Sequence, residues 1–319
     1  MKIQFDRSLH FQLDAIGSIV DVFRGQEKHE STFTVYSPEY INNQRVINND
    51  EIGFANQLKL SKEEILENVH RIQLSNALGL STTEEIDIDR LDFTVEMETG
   101  TGKTYVYLRT VMELYLEYGF SKHIVVVPSI SIKEGVYKSL QITENHLREI
   151  YDNLGYDYFV YNSGRLNDVR NFATNDGLKI MVINVDAFSK SFEDPSSSNK
   201  ANIIHRYNDA LGYIPLDLIR STNPIVIVDE PQTSMSTPLR KSAVRSLNPL
   251  AILRYSATHR EKTNLMYKLD SVDAYVKKLV KQIEVGSVKE CLIYAMLLAN
   301  PVQNGSSDAS DVQFWSEFW

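Results

Sequence analysis

The chain has 319 residues, of which 43% are apolar and 24% charged, and its formal net charge at pH 7 is −9. These values are typical of a soluble globular protein with one large or two modest domains, and the negative charge argues against non-specific coating of nucleic acid. The single cysteine, Cys291, excludes an internal disulfide framework and cysteine-rich zinc sites, and it favours a reducing, cytoplasmic setting.

Neither end of the chain predicts a membrane segment. The N-terminal MKIQFDRSLHFQ lacks the apolar core of a signal peptide. The longest apolar run, CLIYAMLLA at 291–299, is about half of what a bilayer span needs. We therefore expect no contact with a membrane.

The first 90 residues predict two helices on either side of a polar segment. Apolar side chains recur at helical spacing over 8–24. A polar, Asn-rich stretch of mixed character covers about 26–60. SKEE, at 61–64, then matches a capping box and predicts a helix that begins after Ser61.

From residue 91 onwards, short apolar runs alternate with helical patterns such as 103–118 and 131–150. The runs are rich in β-branched residues and show no polar alternation, as strands buried on both faces require. They are DFTVEM (92–97), HIVVVP (123–128), DYFVY (157–161), KIMVINV (179–185), PIVIVD (224–229) and AILRYS (251–256). This alternation predicts an α/β fold with a mostly parallel, doubly wound sheet flanked by helices.

Two later stretches depart from the pattern. EDPSSSNKAN, at 193–202, predicts a polar loop. Residues 301–313 are small and polar and predict poor order, and both tryptophans follow within the last five positions.

VEMETGTGKTY, at 95–105, is close to the phosphate-binding pattern G-x-x-x-x-G-K-[ST] between a strand and a helix. Met97 stands where the strict pattern has its first glycine. Gly100 and Gly102 allow the backbone N–H groups of the loop to turn inward around an anion.

Lys103 and Thr104 complete this pattern. The lysine is expected to reach the β and γ phosphates of ATP, and the threonine hydroxyl to bind Mg²⁺. A chance Gly-Lys-Thr turn is the alternative, but the strand before the loop and the helix after it favour nucleotide binding.

A pair of acids, Asp229 and Glu230, ends the predicted strand in PIVIVDEPQ (224–232). Side chains at the carboxyl end of a parallel strand face the crevice where ligands bind. Asp229 is expected to hold magnesium through water, and Glu230 to orient and deprotonate the attacking water. Paired acids also serve as helix N-caps in non-catalytic proteins, but their combination with Lys103 favours catalysis.

Two weaker features accompany these motifs. The tripeptide from Ser256 to Thr258 closes the next strand and could sense the nucleotide, although such tripeptides are common. Gln12 follows Phe11, and its amide can donate and accept side by side, as reading adenine requires. A solvent-facing helix glutamine is the alternative for Gln12.

In the order Gln12, GTGKT, VVVPS, DEPQ and SAT, these motifs resemble the first motor lobe of superfamily 2 helicases over roughly 8–285. In that group the loop commonly lacks the first glycine, so Met97 fits. The amino-acid sequence of these motifs and their flanks is most similar to the restriction (Res) subunit of type III restriction-modification systems. The stretches that carry this resemblance are FQLDAIGSIVDVFRGQ (11–26), FTVEMETGTGKTYVYLRT (93–110), IVVVPSISIKEGVYKSLQIT (124–143), INVDAFSK (183–190), VIVDEPQ (226–232), LRYSATH (253–259) and YKLDSVDAYVKKLVKQIEV (267–285).

The resemblance implies a RecA-like P-loop NTPase fold and an ATP-dependent motor on double-stranded DNA. It also implies a partner methyltransferase that recognises the DNA sequence, and a C-terminal nuclease domain. Ser129 and the INVDAF segment would lie near the nucleic-acid backbone, while Ser256 and Thr258 would couple the ATP state to movement. Catalysis would rest on Lys103, Asp229 and Glu230. The residues expected to bind the nucleotide are Gln12, Thr99, Gly100, Thr101, Gly102, Lys103 and Thr104.

Positive charge gathers late in the lobe. Each of these residues would either contact phosphate or belong to a solvated charged face. They are Arg240, Lys241, Arg245, Arg254 and Arg260.

The resemblance divides the chain into three parts: an N-terminal segment (1–90) with the glutamine motif and a polar insertion, a motor lobe (91–265), and a passage toward a second lobe with an aberrant tail (266–319). Residues 261–319 contain no arginine that could act as the finger of a second motor lobe. We therefore expect a truncated, frameshifted or split Res subunit that binds Mg·ATP but hydrolyses it slowly alone, with the second lobe or nuclease domain supplied in trans.

Three alternatives remain: a non-catalytic remnant that binds nucleotide or a partner, another superfamily 2 lobe, and a one-lobed P-loop enzyme such as a nucleotide kinase. The helicase order of DEPQ and SAT stands against the kinase.

Overall fold

The computed structural model describes residues 5–41, 44–190, 202–208, 212–259 and 261–280, with the backbone alone over 36–50. These residues belong to one compact unit, Met1–Val280. Most of the loop predicted at 193–202, Arg260, the apolar run at 291–299 and the tail predicted at 301–313 lie outside the described residues.

The N-terminal part contains a hairpin that the sequence did not predict. Helix α1 (His10–Val20) is followed by a 3₁₀ turn (Asp21–Phe23). Strands β1 (Ser31–Ile41) and β2 (Gln44–Ala55) then pair antiparallel within the stretch predicted to be merely polar.

The predicted capping box is confirmed at α2 (Lys62–Ser75). The Glu64 N–H donates to Ser61 Oγ at 3.2 Å, and the Ser61 N–H donates to Glu64 Oε2 at 2.8 Å. Two of the free N–H groups at the start of the helix are thereby satisfied.

A seven-stranded parallel sheet forms the centre of the molecule, in the order β5-β6-β4-β7-β8-β3-β9. The six predicted strands are all present, each within one residue of the predicted bounds, and β9 is an addition. The strands are β3 (Leu91–Met97), β4 (Lys122–Val127), β5 (Tyr156–Val160), β6 (Leu178–Asn184), β7 (Ile225–Asp229), β8 (Ala251–Ser256) and β9 (Leu265–Leu269). The predicted RecA-like α/β fold is confirmed.

Helices cover both faces of this sheet and bury two apolar cores. In β4, Val125 and Val127 belong to one core, whereas Ile124 and Val126 belong to the other. Neighbouring residues of a strand point to opposite faces, so a strand covered on both sides needs an unbroken apolar run. The remaining helices are α3 (Lys103–Tyr118), α4 (Ile130–Ile150), α5 (Asn167–Thr174), α6 (Pro215–Ser221), α7 (Pro231–Ser234), α8 (Pro238–Arg245) and α9 (Ser271–Val276).

The parallel arrangement brings the carboxyl ends of all seven strands to one edge. The phosphate loop follows β3, the acid pair ends β7, and Ser256 ends β8. Since β7, β8 and β3 are neighbours in the sheet, these segments meet there. None of the helices within the described residues is long and apolar enough to cross a membrane.

Candidate nucleotide site

Met97 is still part of the strand that precedes the phosphate loop. It pairs with Leu269 of β9, and its side chain is fully buried in the core. A residue held in a sheet needs no glycine, which explains why methionine is tolerated here. The unusual backbone is confined to Gly100 and Gly102, with φ values of +82° and +91°.

Gln12 packs directly on this loop. Its Nε2 donates to the Thr101 carbonyl at 2.9 Å, and its side chain is only 6% exposed. The solvent-facing alternative for Gln12 is therefore wrong. A β-carbon on Gly102 would lie 2.6 Å from Gln12 Nε2, so alanine here would displace the Gln12 amide in addition to straining the backbone at this φ.

Thr99 and Thr101 shape the loop through Glu98. The Thr99 N–H donates to Glu98 Oε1 at 2.8 Å, and Thr101 Oγ1 donates to the Glu98 carbonyl at 2.6 Å. Lys103 and Thr104 then begin α3, with left-handed Gly102 at its N-cap. The first turn of α3 thus directs its free N–H groups toward the loop.

Lys103 and Glu230, 127 positions apart, form an ion pair in which Nζ lies 2.5 Å from Oε1. Both side chains are largely shielded, at 12% and 26% exposure. Glu230 occupies the N-cap position of α7, but its side chain makes no capping hydrogen bond. Its carboxylate instead faces the lysine of the phosphate loop.

Two more donors hold the second oxygen of Glu230. Ser256 Oγ donates to Oε2 at 2.8 Å, and Gln232 Nε2 donates to the same oxygen. Burial alone would raise the pKa of Glu230, but the hydrogen bonds from Lys103, Ser256 and Gln232 outweigh it and hold the pKa below its ordinary value. The carboxylate is therefore ionised at neutral pH, as a proton acceptor must be.

Asp229 has the opposite electrostatic character. Burial, followed by the neighbouring Glu230 charge, raises its pKa to about 6, and Lys103 only partly offsets this. Asp229 is a buried carboxylate beside a second acid, so a cation bound next to it would stabilise its ionised form.

Gln232 was not among the predicted site residues. Besides contacting Glu230, it places its Oε1 2.9 Å from Ser256 Oγ. The signal that could have found it is its place in DEPQ, two positions after Glu230 and therefore on the same turn.

Ser129, Ser256 and Thr258, which were predicted to contact DNA or to couple hydrolysis to movement, do not all lie together. Ser256 belongs to the site through Glu230, and the Thr258 N–H donates to Ser256 Oγ at 3.2 Å. Ser129 caps α4, where its Oγ accepts from the Ile132 N–H at 3.3 Å. It follows β4, three strands from β3, so it lies on the same edge but apart from the lysine.

Most of the late positive charge is paired within the protein. Arg240 pairs with Asp186 at 2.7 Å and Lys241 with Glu261 at 2.6 Å. Arg254 is buried and forms a bidentate ion pair with Asp92. It therefore fits neither alternative considered for these residues, since it is neither solvated nor free to contact phosphate.

A parallel RecA-like sheet with a glycine-containing phosphate loop after one strand and an acid pair after another defines a helicase-like ATPase lobe. The chain belongs to the family of type III restriction enzyme Res subunits, because the family model "Type III restriction enzyme, res subunit" matches residues 62–261.

Individual relatives agree with this assignment. The chain is 31% identical over 245 residues to the EcoP15I Res subunit of Escherichia coli, covering 71% of this chain and 24% of that protein. It is 26% identical over 296 residues to the EcoPI Res subunit of Escherichia phage P1, covering 88% of this chain and 28% of that protein. The chain thus spans about a quarter of the length of these relatives.

Solved structures show a weaker likeness. The type ISP restriction-modification enzyme LlaGI, as a nuclease-deletion mutant in complex with a DNA substrate mimic, is 12% identical with a TM-score of 0.39. The match covers 76% of this chain and 23% of that chain.

Proposed function

We propose that this chain is the ATP-hydrolysing motor lobe of a type III restriction enzyme and couples hydrolysis to movement on double-stranded DNA during restriction of foreign DNA. The observation that carries the proposal is the contact of Lys103 with Glu230, and of Glu230 with Ser256, at one sheet edge. Residues 91–265 form the lobe, and 1–90 add the segment with Gln12. Because the proposed motor moves on DNA, we propose a cytoplasmic location.

ATP binding requires Lys103 to leave Glu230, because the ammonium cannot serve the carboxylate and the phosphates equally well. Glu230 then faces the position of the attacking water and accepts its proton. Gln12 contacts adenine, and the N–H groups of the loop surround the phosphates. The loop residues are Thr99, Gly100, Thr101 and Gly102.

Mg²⁺ would be held by Thr104 and Asp229. Hydroxyl and carboxylate oxygens are the ligands that magnesium prefers, and it commonly uses one or two carboxylates together with substrate phosphates. Within the described residues, no cluster of three or more His, Cys, Asp or Glu side chains forms a complete metal cage. When bound, the ion would neutralise phosphate charge during transfer.

The DNA is expected to run along the same edge, over Ser129 and the INVDAF segment. Ser256 and Thr258 couple the position of the Glu230 side chain to the segments that contact the DNA. The partners we propose are the modification methyltransferase, which would choose the DNA sequence, and a second motor lobe and nuclease domain. An arginine from the second lobe would raise turnover by roughly 10³–10⁵.

The test is a titration of the purified chain with a fluorescent ATP analogue, with and without Mg²⁺, beside Lys103→Ala. We expect magnesium-dependent binding that the variant loses. Absence of binding, or binding that is indifferent to Lys103→Ala, would overturn the proposal.

Hydrolysis is then measured with double-stranded DNA before and after a second motor lobe from a relative is added. Stimulation by the added lobe supports the motor. Binding that never leads to hydrolysis would instead indicate a non-catalytic remnant.

A further inference from the structure

His259 follows directly after the SAT tripeptide, and its side chain reaches the strand that carries the phosphate loop. Its Nε2 lies 3.0 Å from the Val95 carbonyl oxygen. A carbonyl can only accept, so Nε2 carries the hydrogen and Nδ1 of the neutral ring is a bare acceptor. Burial lowers the pKa of His259, with the hydrogen bond to Val95 opposing it, and this favours the neutral ring.

The contact falls at an irregular point of the sheet. Val95 lies two residues before Met97, the last residue of β3. The register between β3 and β9 shifts between Thr94 and Val95. His259 therefore donates to the β3 backbone at the position where the pairing of β3 with β9 is interrupted.

Together these contacts close a ring around the candidate nucleotide site. Lys103 contacts Glu230 at 2.5 Å, and Glu230 contacts Ser256 at 2.8 Å. The chain then turns back on Ser256 through the Thr258 N–H and continues to His259. From Val95, strand β3 leads into the phosphate loop and back to the lysine.

Residues after His259 are fastened to β3 by separate contacts. Lys262 Nζ lies 2.5 Å from Glu96 Oε2, and Thr94 Oγ1 donates to the Thr263 carbonyl at 2.7 Å. These contacts hold the approach to β9 and do not involve Ser256. Loss of His259 alone should therefore loosen the SAT turn without detaching the segment.

We propose that His259 is a positioning residue for ATP hydrolysis, which holds the turn from Ser256 to Thr258 against β3 and thereby fixes the carboxylate of Glu230. The inference rests on the proposed ATPase function and adds a residue to it. Nucleotide binding depends on the phosphate loop, so the contribution of His259 is to the rate of hydrolysis and not to affinity.

Two substitutions separate the hydrogen bond from the volume of the ring. His259→Phe keeps a planar ring and removes the donor, whereas His259→Gln keeps an N–H donor at similar reach. For His259→Phe we expect single-turnover hydrolysis at saturating ATP to fall about threefold to tenfold, the worth of one hydrogen bond. Its nucleotide dissociation constant should stay within about twofold of wild type, and His259→Gln should recover most of the rate.

Lys262→Met is the matched control, because it removes another contact to β3 and leaves the buried Glu96 unpaired. We expect it to lower the unfolding midpoint at least as much as His259→Phe while leaving the hydrolysis rate unchanged. Equal loss of rate in Lys262→Met and His259→Phe, a wild-type rate in His259→Phe, or a loss confined to affinity would each overturn the inference.

Lys103→Ala distinguishes the two levels of the proposal. If wild type hydrolyses ATP and Lys103→Ala does not, a normal rate in His259→Phe refutes the role of His259 alone. If wild type does not hydrolyse ATP even after a second motor lobe is added, both the proposed function and the role of His259 are refuted.

Discussion

Glu230 has a left-handed backbone, with φ = +50° and ψ = +64°. For a residue with a β-carbon this conformation costs on the order of 1–3 kcal/mol. The following Pro231 begins α7, and the three donors to the carboxylate hold the side chain. The strain therefore aims the carboxylate at Lys103 and away from a capping role.

Glu230→Gln separates binding from chemistry. The amide cannot form the ion pair, so Lys103 is released toward phosphate and nucleotide affinity should be equal to or greater than wild type. Loss of the proton acceptor should reduce hydrolysis by about 10²–10⁴. Affinity is followed with a fluorescent ATP analogue and hydrolysis by phosphate release; hydrolysis at the wild-type rate would contradict the role of Glu230.

The two loop glycines allow a matched test of steric fit. A β-carbon at Gly102 would meet Gln12 at 2.6 Å, whereas at Gly100 nothing lies within 4 Å. Both positions have positive φ, so alanine strains the backbone at each. Gly102→Ala should therefore lose more nucleotide affinity and more stability than Gly100→Ala, by about 1–3 kcal/mol in stability.

Calorimetric titration with ATP and urea unfolding measure these two effects. Adding Gln12→Ala to Gly102→Ala should restore part of the stability. Equal losses at the two glycines would show that the backbone strain alone matters.

Neighbouring strands β3 and β8 are joined by a buried charge pair as well as by their backbone ladder. Asp92 and Arg254 are 9% and 7% exposed. Burial raises the pKa of Asp92 even with Arg254 beside it, which shows how unfavourable this site is for an isolated carboxylate.

Arg254→Met should destabilise the protein by about 3–5 kcal/mol, because it leaves Asp92 buried without a partner. The double variant Asp92→Leu/Arg254→Met should regain most of that loss, since replacing both charges removes the desolvation penalty. Urea unfolding of the four proteins in the cycle gives the coupling. A cost under about 1 kcal/mol for Arg254→Met would contradict the importance of the pair.

At the scale of the whole molecule, the amino-terminal end of β4 links stability to pH. Burial, with Lys179 adding to it, lowers the pKa of Lys122 to about 7. Burial, with Lys122 adding to it, lowers the pKa of His123 to about 3. Neither imidazole nitrogen of His123 has a hydrogen-bond partner among the described residues.

Both pKa values are depressed by folding, so both groups favour the folded state more at higher pH. The contribution of His123 is complete above about pH 6.5 and is lost as pH falls from there toward 3. That of Lys122 is complete above about pH 10.5 and is lost as pH falls toward 7. Stability should therefore rise over two separate pH windows, by on the order of a few kcal/mol in each.

Urea unfolding between pH 4 and 10 tests this with two variants that control for each other. Lys122→Met should flatten the rise above pH 7 and leave most of the acid limb, because burial is the larger cause of the lowered His123 pKa and Lys122 the smaller. His123→Met should do the reverse. An unchanged pH profile in either variant would contradict the assigned group.

Much of the fold could be predicted because β3, β4, β6, β7 and β8 are buried throughout and their apolar runs are continuous, while β5, an edge strand, still has aromatic and β-branched residues. β9 escaped because it is an edge strand in which Lys268 breaks a run of only five residues. The hairpin of β1 and β2 escaped because it is polar and depends on distant contacts. Asn56, at its end, donates to the Lys122 carbonyl at 2.8 Å and accepts from the Ser121 N–H at 2.8 Å.

The same distinction applies to the site. The meeting of Lys103 and Glu230 at one sheet edge was predictable because strand ends and glycine-rich turns have local signatures. The same signatures predict Thr104 and Asp229. Gln232 was visible only once its carboxylate partner had been located. The roles assigned to these residues remain predictions that the experiments above decide.

The amino-acid sequence by itself determined the class of protein. Unbroken apolar runs, a Gly-x-Gly-Lys-Thr turn and an acid pair are local features, each contained in a few consecutive residues. Only the tertiary structure decided that β7, β8 and β3 lie side by side although β3 is far earlier in the chain. Strand order depends on how the crossovers and both helical layers pack, which no local pattern contains. That packing brings Lys103 to Glu230 and His259 to Val95, 127 and 164 positions apart, and so assembles the candidate site.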